Sequence, residues 1–386
     1  MTLILLLLTI PAACIALSRL FRGARRRSPI APQLPLGNQK GTVSAIVPTL
    51  NEEQRIRPCL EGLREQSEEI REIIVVDSRS QDGTQERVKE AQTQDPRLCL
   101  ITDPPLPTDW VGRPWALHNG FLHSSPQSEW ILGIDADTQP KAGLVSGLLE
   151  VARSRDYRDY DVISLSPQFI LEFPGEWWLQ PALLMTLIYR FESSGVDAQT
   201  PERVMANGQC FFCRRSVLEE VGGYTEAKGS FCDDVTLART IAARGFKVGF
   251  LDGRRVLSVR MYEGARETWR EWGRSLDLKD ASSVAQLWCD LWVLLSVQGL
   301  PLPLFLGFLA LWGMGYSSVP IAIALGFNGS LILIRWALLF AIAPSYHPPI
   351  SWLFWLSPLA DPLAVLRIFL SAQNKPTQWR GRAYKL

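Results

Sequence analysis

Asp135 and Asp137 close the stretch Glu129-Trp130-Ile131-Leu132-Gly133-Ile134-Asp135-Ala136-Asp137-Thr138. The apolar run 130–134 is too short for a membrane span and reads as a buried strand. Alternate residues on an extended chain point the same way, so the two carboxylates face one small volume at the strand's carboxyl end. Like charges there repel, and a hard divalent cation is the usual relief. Mg²⁺ or Mn²⁺ held by so few protein oxygens also grips the phosphates of a substrate. The pattern alone decides little, because 18 Asp among 386 residues give about one Asp-x-Asp by chance. A second instance, Asp159-Tyr160-Asp161, lies in a polar, Arg-rich stretch and reads as solvated surface.

The elements around this motif supply its context. Strand-like runs occur at 43–48, 70–77, 98–102 and 130–134, with helix-like stretches at 58–66 and 84–92 between them. Gly83-Thr84 is a turn that caps the second helix. Strands alternating with helices predict an α/β fold with a doubly wound, mostly parallel sheet. Ligands on such a sheet bind beyond the carboxyl ends of the strands. Asn51, Glu52, Asp77, Asp135 and Asp137 all fall there.

A net charge of +1 gives no reason to expect nucleic acid as a partner. Seven Cys show no repeated spacing, and Cys210-x-x-Cys213 has no second pair. Three His argue against a His-based metal site, and a reduced, cytosolic setting fits the central region. Residues 1–20 are apolar, and Arg19, Arg22, Arg25, Arg26 and Arg27 lie at or beyond the end of that run. A signal peptide carries its positive charge before the apolar run, so this order predicts a membrane anchor whose carboxyl end faces the cytosol. Residues 21–41 are then a basic, Pro-rich linker.

Val47-Pro48-Thr49-Leu50-Asn51-Glu52-Glu53, then Val75-Val76-Asp77-Ser78-Arg79-Ser80-Gln81-Asp82-Gly83-Thr84, then Asp135-Ala136-Asp137 resemble, in order and spacing, the opening motifs of family 2 glycosyltransferases. Those enzymes have the nucleotide-sugar fold called GT-A, and the likeness extends over 42–281. The resemblance implies that Asp77 contacts the nucleotide base and that Glu52 lies near base or ribose, with Pro48 and Asn51 also in the nucleotide-sugar site. It implies that Asp137, with Asp135, meets the metal and the diphosphate. One departure is Ser78, where the family often has a second acid, so base recognition rests on Asp77. Arg113 stands where many relatives have Lys, and its fork of donors suits phosphate oxygens; a loop Arg paired with a surface acid is the alternative. Gly208 and Gln209 match the family's strand beside the acceptor. Asp233-Asp234 matches the family's acidic pair, whose second member is the catalytic base, although a carboxylate opening a helix is also a plain cap. Arg270, Trp272 and Arg274 fall where relatives cover acceptor and diphosphate, and equally read as a basic amphipathic helix on lipid heads. The Gln-x-x-Arg-Trp of processive synthases is missing, which counts against a polymerase.

The apolar stretch 181–191 reads as a core helix or an interfacial one. Within 285–371, three stretches (287–312, 319–343 and 350–370) are each long enough to cross a bilayer. Pro301 and Pro303 interrupt the first, Arg335 lies inside the second, and Asp361-Pro362 breaks the third. The basic tail 372–386 should stay cytosolic, which needs an even number of crossings and makes the third stretch re-entrant or interfacial. Arg335 marks a polar spot for an acceptor or pairs with Asp361. Trp379-Arg380-Gly381-Arg382-Ala383-Tyr384 resembles the tail of the carotenoid glycosyltransferase branch. Together these resemblances imply a membrane-anchored, metal-dependent, inverting glycosyltransferase with a cytosolic site. It would move a sugar from a nucleotide-diphosphate sugar to a lipophilic acceptor, the 2′-hydroxyl of a myxol-type carotenoid. The alternatives are another lipid (a polyprenyl phosphate, a ceramide-like lipid or a hopanoid) and a non-catalytic scaffold, against which the retained acids argue.

Overall fold

A computed structural model describes residues 2–35, 40–154, 159–274 and 276–373, with the backbone of 378–379 and 382–383. The chain divides into two compact units. Arg27–Ile170 with Ser194–Met261 holds the sheet; Met1–Arg26, Leu171–Ser193 and Tyr262–Lys375 form a helical unit. This division differs from the single domain 42–281 drawn on the sequence, because 171–193 and the chain from Tyr262 group with the apolar helices.

The sheet unit contains β1 (Val43–Thr49), β2 (Ile70–Asp77), β3 (Leu98–Thr102), β4 (Trp130–Gly133), β5 (Thr138–Pro140), β6 (Val162–Ser166), β7 (Gln168–Phe169), β8 (Phe211–Arg214), β9 (Val248–Asp252) and β10 (Leu257–Val259). The main sheet runs β3-β2-β1-β4-β8-β6-β9, and β5-β10-β7 form a small second sheet. β1 to β4 are mutually parallel where they pair, β8 is antiparallel to both neighbours, and β9 is parallel to β6. The central strands are apolar on both faces. Val43, Ala45 and Val47 of β1 with Ile73 and Val75 of β2 enter one core, whereas Ile46, Ile74 and Val76 enter the other. That is why these runs read as continuous rather than alternating: a parallel sheet covered by helices on both sides buries every side chain. Each such side chain contributes about 1.5–3 kcal/mol.

Register aligns the strand ends. Thr49 pairs with Asp77, and Asp77 with Thr102. The loops that follow β1, β2, β3 and β4 therefore leave from one edge, and those after β1, β2 and β4 carry residues singled out above.

The helical unit starts with helix Thr2–Arg22. Arg19 donates to the Tyr189 carbonyl at 2.9 Å and pairs with Asp290 at 3.6 Å, and Arg22 pairs with Glu192 at 2.8 Å. Helix Pro174–Phe191 begins well before the predicted start and keeps Pro181 inside. Its Glu176 accepts from the backbone of Glu172, Phe173 and Gly264. Stretch 287–312 is broken into helices Val284–Leu294 and Pro301–Gly313 around a π-helical turn, Leu295–Gly299, with a 48° bend. A proline at the second helix's first position lacks the donor that would continue the first. Val319–Ile342 is one long helix, and 350–370 breaks into the short helix Trp352–Trp355, a 3₁₀ turn and helix Asp361–Gln373. Two helical stretches, Thr2–Arg25 and Val319–Ser345, are long and apolar enough to cross a membrane, or up to three if the bent pair is one span. Arg335 forms a fork to Asp361 at 2.8 and 3.1 Å, both side chains buried, so the pairing alternative holds. Most of the motif at 379–384 lies outside the described residues.

Candidate active site

The loops beyond β1 and β2 are stitched together. Asn51, at φ 56°, donates its backbone N–H to Ser80 Oγ and accepts from the Gln81 N–H at 2.8 Å. The Glu52 N–H donates to Thr84 Oγ1 at 2.8 Å, and Glu53 accepts from the Gly83 N–H. Asp77 is wholly buried; it accepts from the Ser80 N–H at 3.1 Å and the Gln85 amide at 2.7 Å. Pro48, Glu52, Ser78, Arg113 and Asp135 line a cleft open to solvent. Asn51 is exposed, and neither it nor Asp77 lines this cleft.

Arg113, second residue of helix Gly112–His123, is the centre of the site. Its Nε donates to Asp135 Oδ1 at 2.8 Å and Nη2 to the Gly208 carbonyl at 2.8 Å, while Nη1 pairs with Asp233. A Cβ on Gly208 would stand 2.3 Å from Nη2, so any larger residue here makes the guanidinium shift. Asn207 and Gln209 bond each other through side chain and backbone, and Ser164 Oγ ties Asn207 to β6. Only Phe211–Arg214 of the predicted strand segment is a strand; 207–210 is the turn that presents Gly208.

Asp233 and Asp234 open helix Asp233–Ala243. Asp234 Oδ1 accepts from the Val235 N–H at 2.9 Å. Burial pushes the Asp234 carboxyl above the ordinary carboxylate range, and Arg113 pulls it back. Burial likewise pushes Asp233 up to about 7, with Arg113 opposing. Asp137 is pushed up to about 7 by burial and the charge of Asp135, with Arg55 and Arg113 opposing. One guanidinium therefore lies among four carboxylates that two distant motifs supply.

Asp161 of the second Asp-x-Asp pairs with Arg214 and accepts from the Lys247 N–H, a surface role. Cys210 and Cys213 are buried free thiols. Arg270, Trp272 and Arg274 belong to the helical unit. Trp272 is buried, Arg270 is exposed and pairs with Glu271 at 2.6 Å, and the side chain of Arg274 lies outside the described residues. Sequence reasoning missed Asp103, which follows β3 and accepts from Ser78 Oγ at 2.7 Å. An acid thus stands beside Ser78 after all, supplied by the next strand. The rule that picked Asp77 and Asp135, an acid at a strand's carboxyl end, finds it too.

Residues 44–222 match the model of glycosyl transferase family 2, and residues 191–386 match that of glycosyl transferase family 21. The second match spans half of the chain, which belongs to glycosyl transferase family 21. This glycosyltransferase is 24% identical over 277 residues, 70% of its length and 72% of the relative's, to a 4,4'-diaponeurosporenoate glycosyltransferase of Staphylococcus haemolyticus. Its fold is that of a mannosyltransferase from Pyrobaculum calidifontis solved with GDP-Man and Mn²⁺, at TM-score 0.58 and 19% identity, covering 96% of this chain and 97% of that one.

The donor set at Asp135 and Asp137 fits a divalent metal. Among the described residues no group of three or more His, Cys, Asp and Glu is gathered for one. Two carboxylates, that of Asp137 pushed up by burial and by the charge of Asp135, suit Mg²⁺ or Mn²⁺, which complete their shell with water and substrate phosphates.

Proposed function

We propose that the chain is an inverting, metal-dependent glycosyltransferase that moves a sugar from a nucleotide-diphosphate sugar to the hydroxyl of a lipophilic acceptor, a carotenoid of the myxol type. The observation that carries this reading is the meeting of Asp135, Asp233 and Gly208 on Arg113, with Asp234 next in the chain. The nucleotide lies over the strand ends, along Pro48, Glu52 and Ser78, with Asp77, Asn51 and Asp103 holding the loops that shape its seat. Asp135 and Asp137 would hold the divalent cation, which when bound offsets charge on the leaving diphosphate. Arg113 turns its remaining donors to the same phosphates.

Asp234 takes the proton from the acceptor hydroxyl as that oxygen attacks the anomeric carbon. The bond from that carbon to the diphosphate breaks on the opposite face, and the nucleoside diphosphate departs. A partly exposed carboxyl with a raised affinity for protons, fixed by a helix N-terminus, suits this duty. The two apolar helices and the kinship to a carotenoid-acting enzyme support a membrane setting and a lipophilic acceptor. Gln209 is assigned to the acceptor and diphosphate side.

The test uses purified full-length chain in detergent, a panel of sugar nucleotides and, as acceptors, a hydroxylated carotenoid, a hopanoid, a ceramide and a polyprenyl phosphate. The expected product is the glycosylated carotenoid, with turnover about 10²- to 10⁴-fold lower in Asp234→Asn. Transfer to another lipid alone would discard the carotenoid, and undiminished turnover in the variant would discard Asp234 as base.

A further inference from the structure

We propose that Arg113 competes with the divalent cation for Asp135 and couples metal binding to diphosphate binding. This deepens the reading above and rests on it. The Arg113 side chain is 11% exposed and its Nε–H points at Asp135 Oδ1 at 2.8 Å. That is an oxygen of one of the two carboxylates available to the metal. The guanidinium is also fixed from behind, because Gly208 leaves it no slack and accepts from Nη2. Two cations on one carboxylate repel, so a metal arriving alone meets a resident positive charge.

A diphosphate changes that balance. A guanidinium has five N–H donors, and the described contacts use three of them. The remaining two, one on each terminal nitrogen, form a fork of the kind that grips phosphate oxygens. Drawn onto the diphosphate, Arg113 yields charge density at Asp135, and the metal gains there while it also binds the phosphates. Coupling of this kind is reciprocal: the nucleotide raises metal affinity by the factor by which metal raises nucleotide affinity. The same guanidinium holds Asp233, so movement toward the diphosphate is felt beside Asp234, and both ligands and the base are brought to one arrangement together.

The test is an electron paramagnetic resonance titration of Mn²⁺ on purified full-length chain, alone and with saturating UDP or GDP. For the unaltered chain, nucleotide should tighten Mn²⁺ binding by roughly tenfold or more, within the range usual for coupled sites. Arg113→Met should bind Mn²⁺ alone about tenfold more tightly than the unaltered chain and lose most of the coupling. Arg113→Lys, which keeps the charge without the fork, should bind Mn²⁺ alone as weakly as the unaltered chain. Thermal melts establish that each variant is folded, and Asp137→Ala gives the floor of the titration. Mn²⁺ binding to Arg113→Met that is no tighter than to the unaltered chain, or coupling that survives in it, would overturn the proposal. Sugar transfer by the unaltered chain is measured in parallel, so failure of the enzymatic reading shows there while the Mn²⁺ result still stands or falls by itself.

Discussion

Gly208→Ala adds one methyl group to a turn and tests the seat of Arg113. The new Cβ would lie 2.3 Å from Nη2, 2.6 Å from Cζ and 3.0 Å from Nη1, where ordinary contact begins near 3.4 Å. Relief requires the guanidinium to retreat by about 1 Å, since the methyl is fixed to backbone. Bonds to Asp135 and to the Gly208 carbonyl, now 2.8 Å, would stretch beyond hydrogen-bonding range. Each bond to a charged group is worth about 1.5–3 kcal/mol. A displacement of this size at a group that orients substrate costs about 10²-fold in turnover. Folding should suffer far less, because the freed guanidinium can turn toward the solvent-open cleft. The assay is steady-state transfer with a sugar nucleotide, set beside a thermal melt. Turnover within about threefold of the unaltered chain would refute the claim that Arg113 must sit where it does; equal loss of stability and turnover would show the turn itself had failed.

The pH profile of kcat/KM offers a second check. The Asp234 carboxyl is held above the ordinary carboxylate range, so activity should be lost on acidification at a higher pH than a plain Asp would give, because the base must be unprotonated. Arg113 lowers the proton affinity of Asp234, and Arg113→Met should therefore shift that acid limb further up; a limb that stays put or moves down contradicts the assignment. Asp137→Ala should weaken metal-dependent nucleotide binding, read by calorimetry, by at least the 10- to 100-fold known for lesser metal-site changes, and EDTA should abolish transfer by the unaltered chain. In the helical unit, Arg335→Met should cost about 3–5 kcal/mol by stranding a buried carboxylate, whereas Arg335→Met with Asp361→Leu should recover most of it in a detergent melt.

Much of the sheet was legible because its strands are short, fully buried and punctuated by turns. The runs 70–77, 84–92 and 98–102 are the elements observed, end to end. What a local pattern does not carry is pairing: nothing in Phe211–Arg214 says that it enters between β4 and β6 with reversed direction. The same limit applies to the candidate site. The acids could be read from strand ends and from a helix start, but Arg113 meets partners 22 and 120 residues away, and no spacing rule encodes that. The strand-end rule reaches Asp103, but the motif it completes is on a different strand, and motif matching alone does not show it. Helix Pro174–Phe191 was drawn short because Pro181 reads as a beginning; it is tolerated inside since one lost backbone bond is a small fraction of what a buried helix gains.

The pairing of Arg335 with Asp361 also sets an order of manufacture. The arginine leaves the ribosome first, on a helix apolar enough to be handed to lipid, and its carboxylate follows 26 residues later. Until Asp361 follows, Arg335 lacks the carboxylate that balances its charge. A chain that stops in the Ala343–Ser345 turn would keep Arg335 without its buried partner. The last helix thus brings, late in synthesis, the charge that balances a residue made 26 positions earlier.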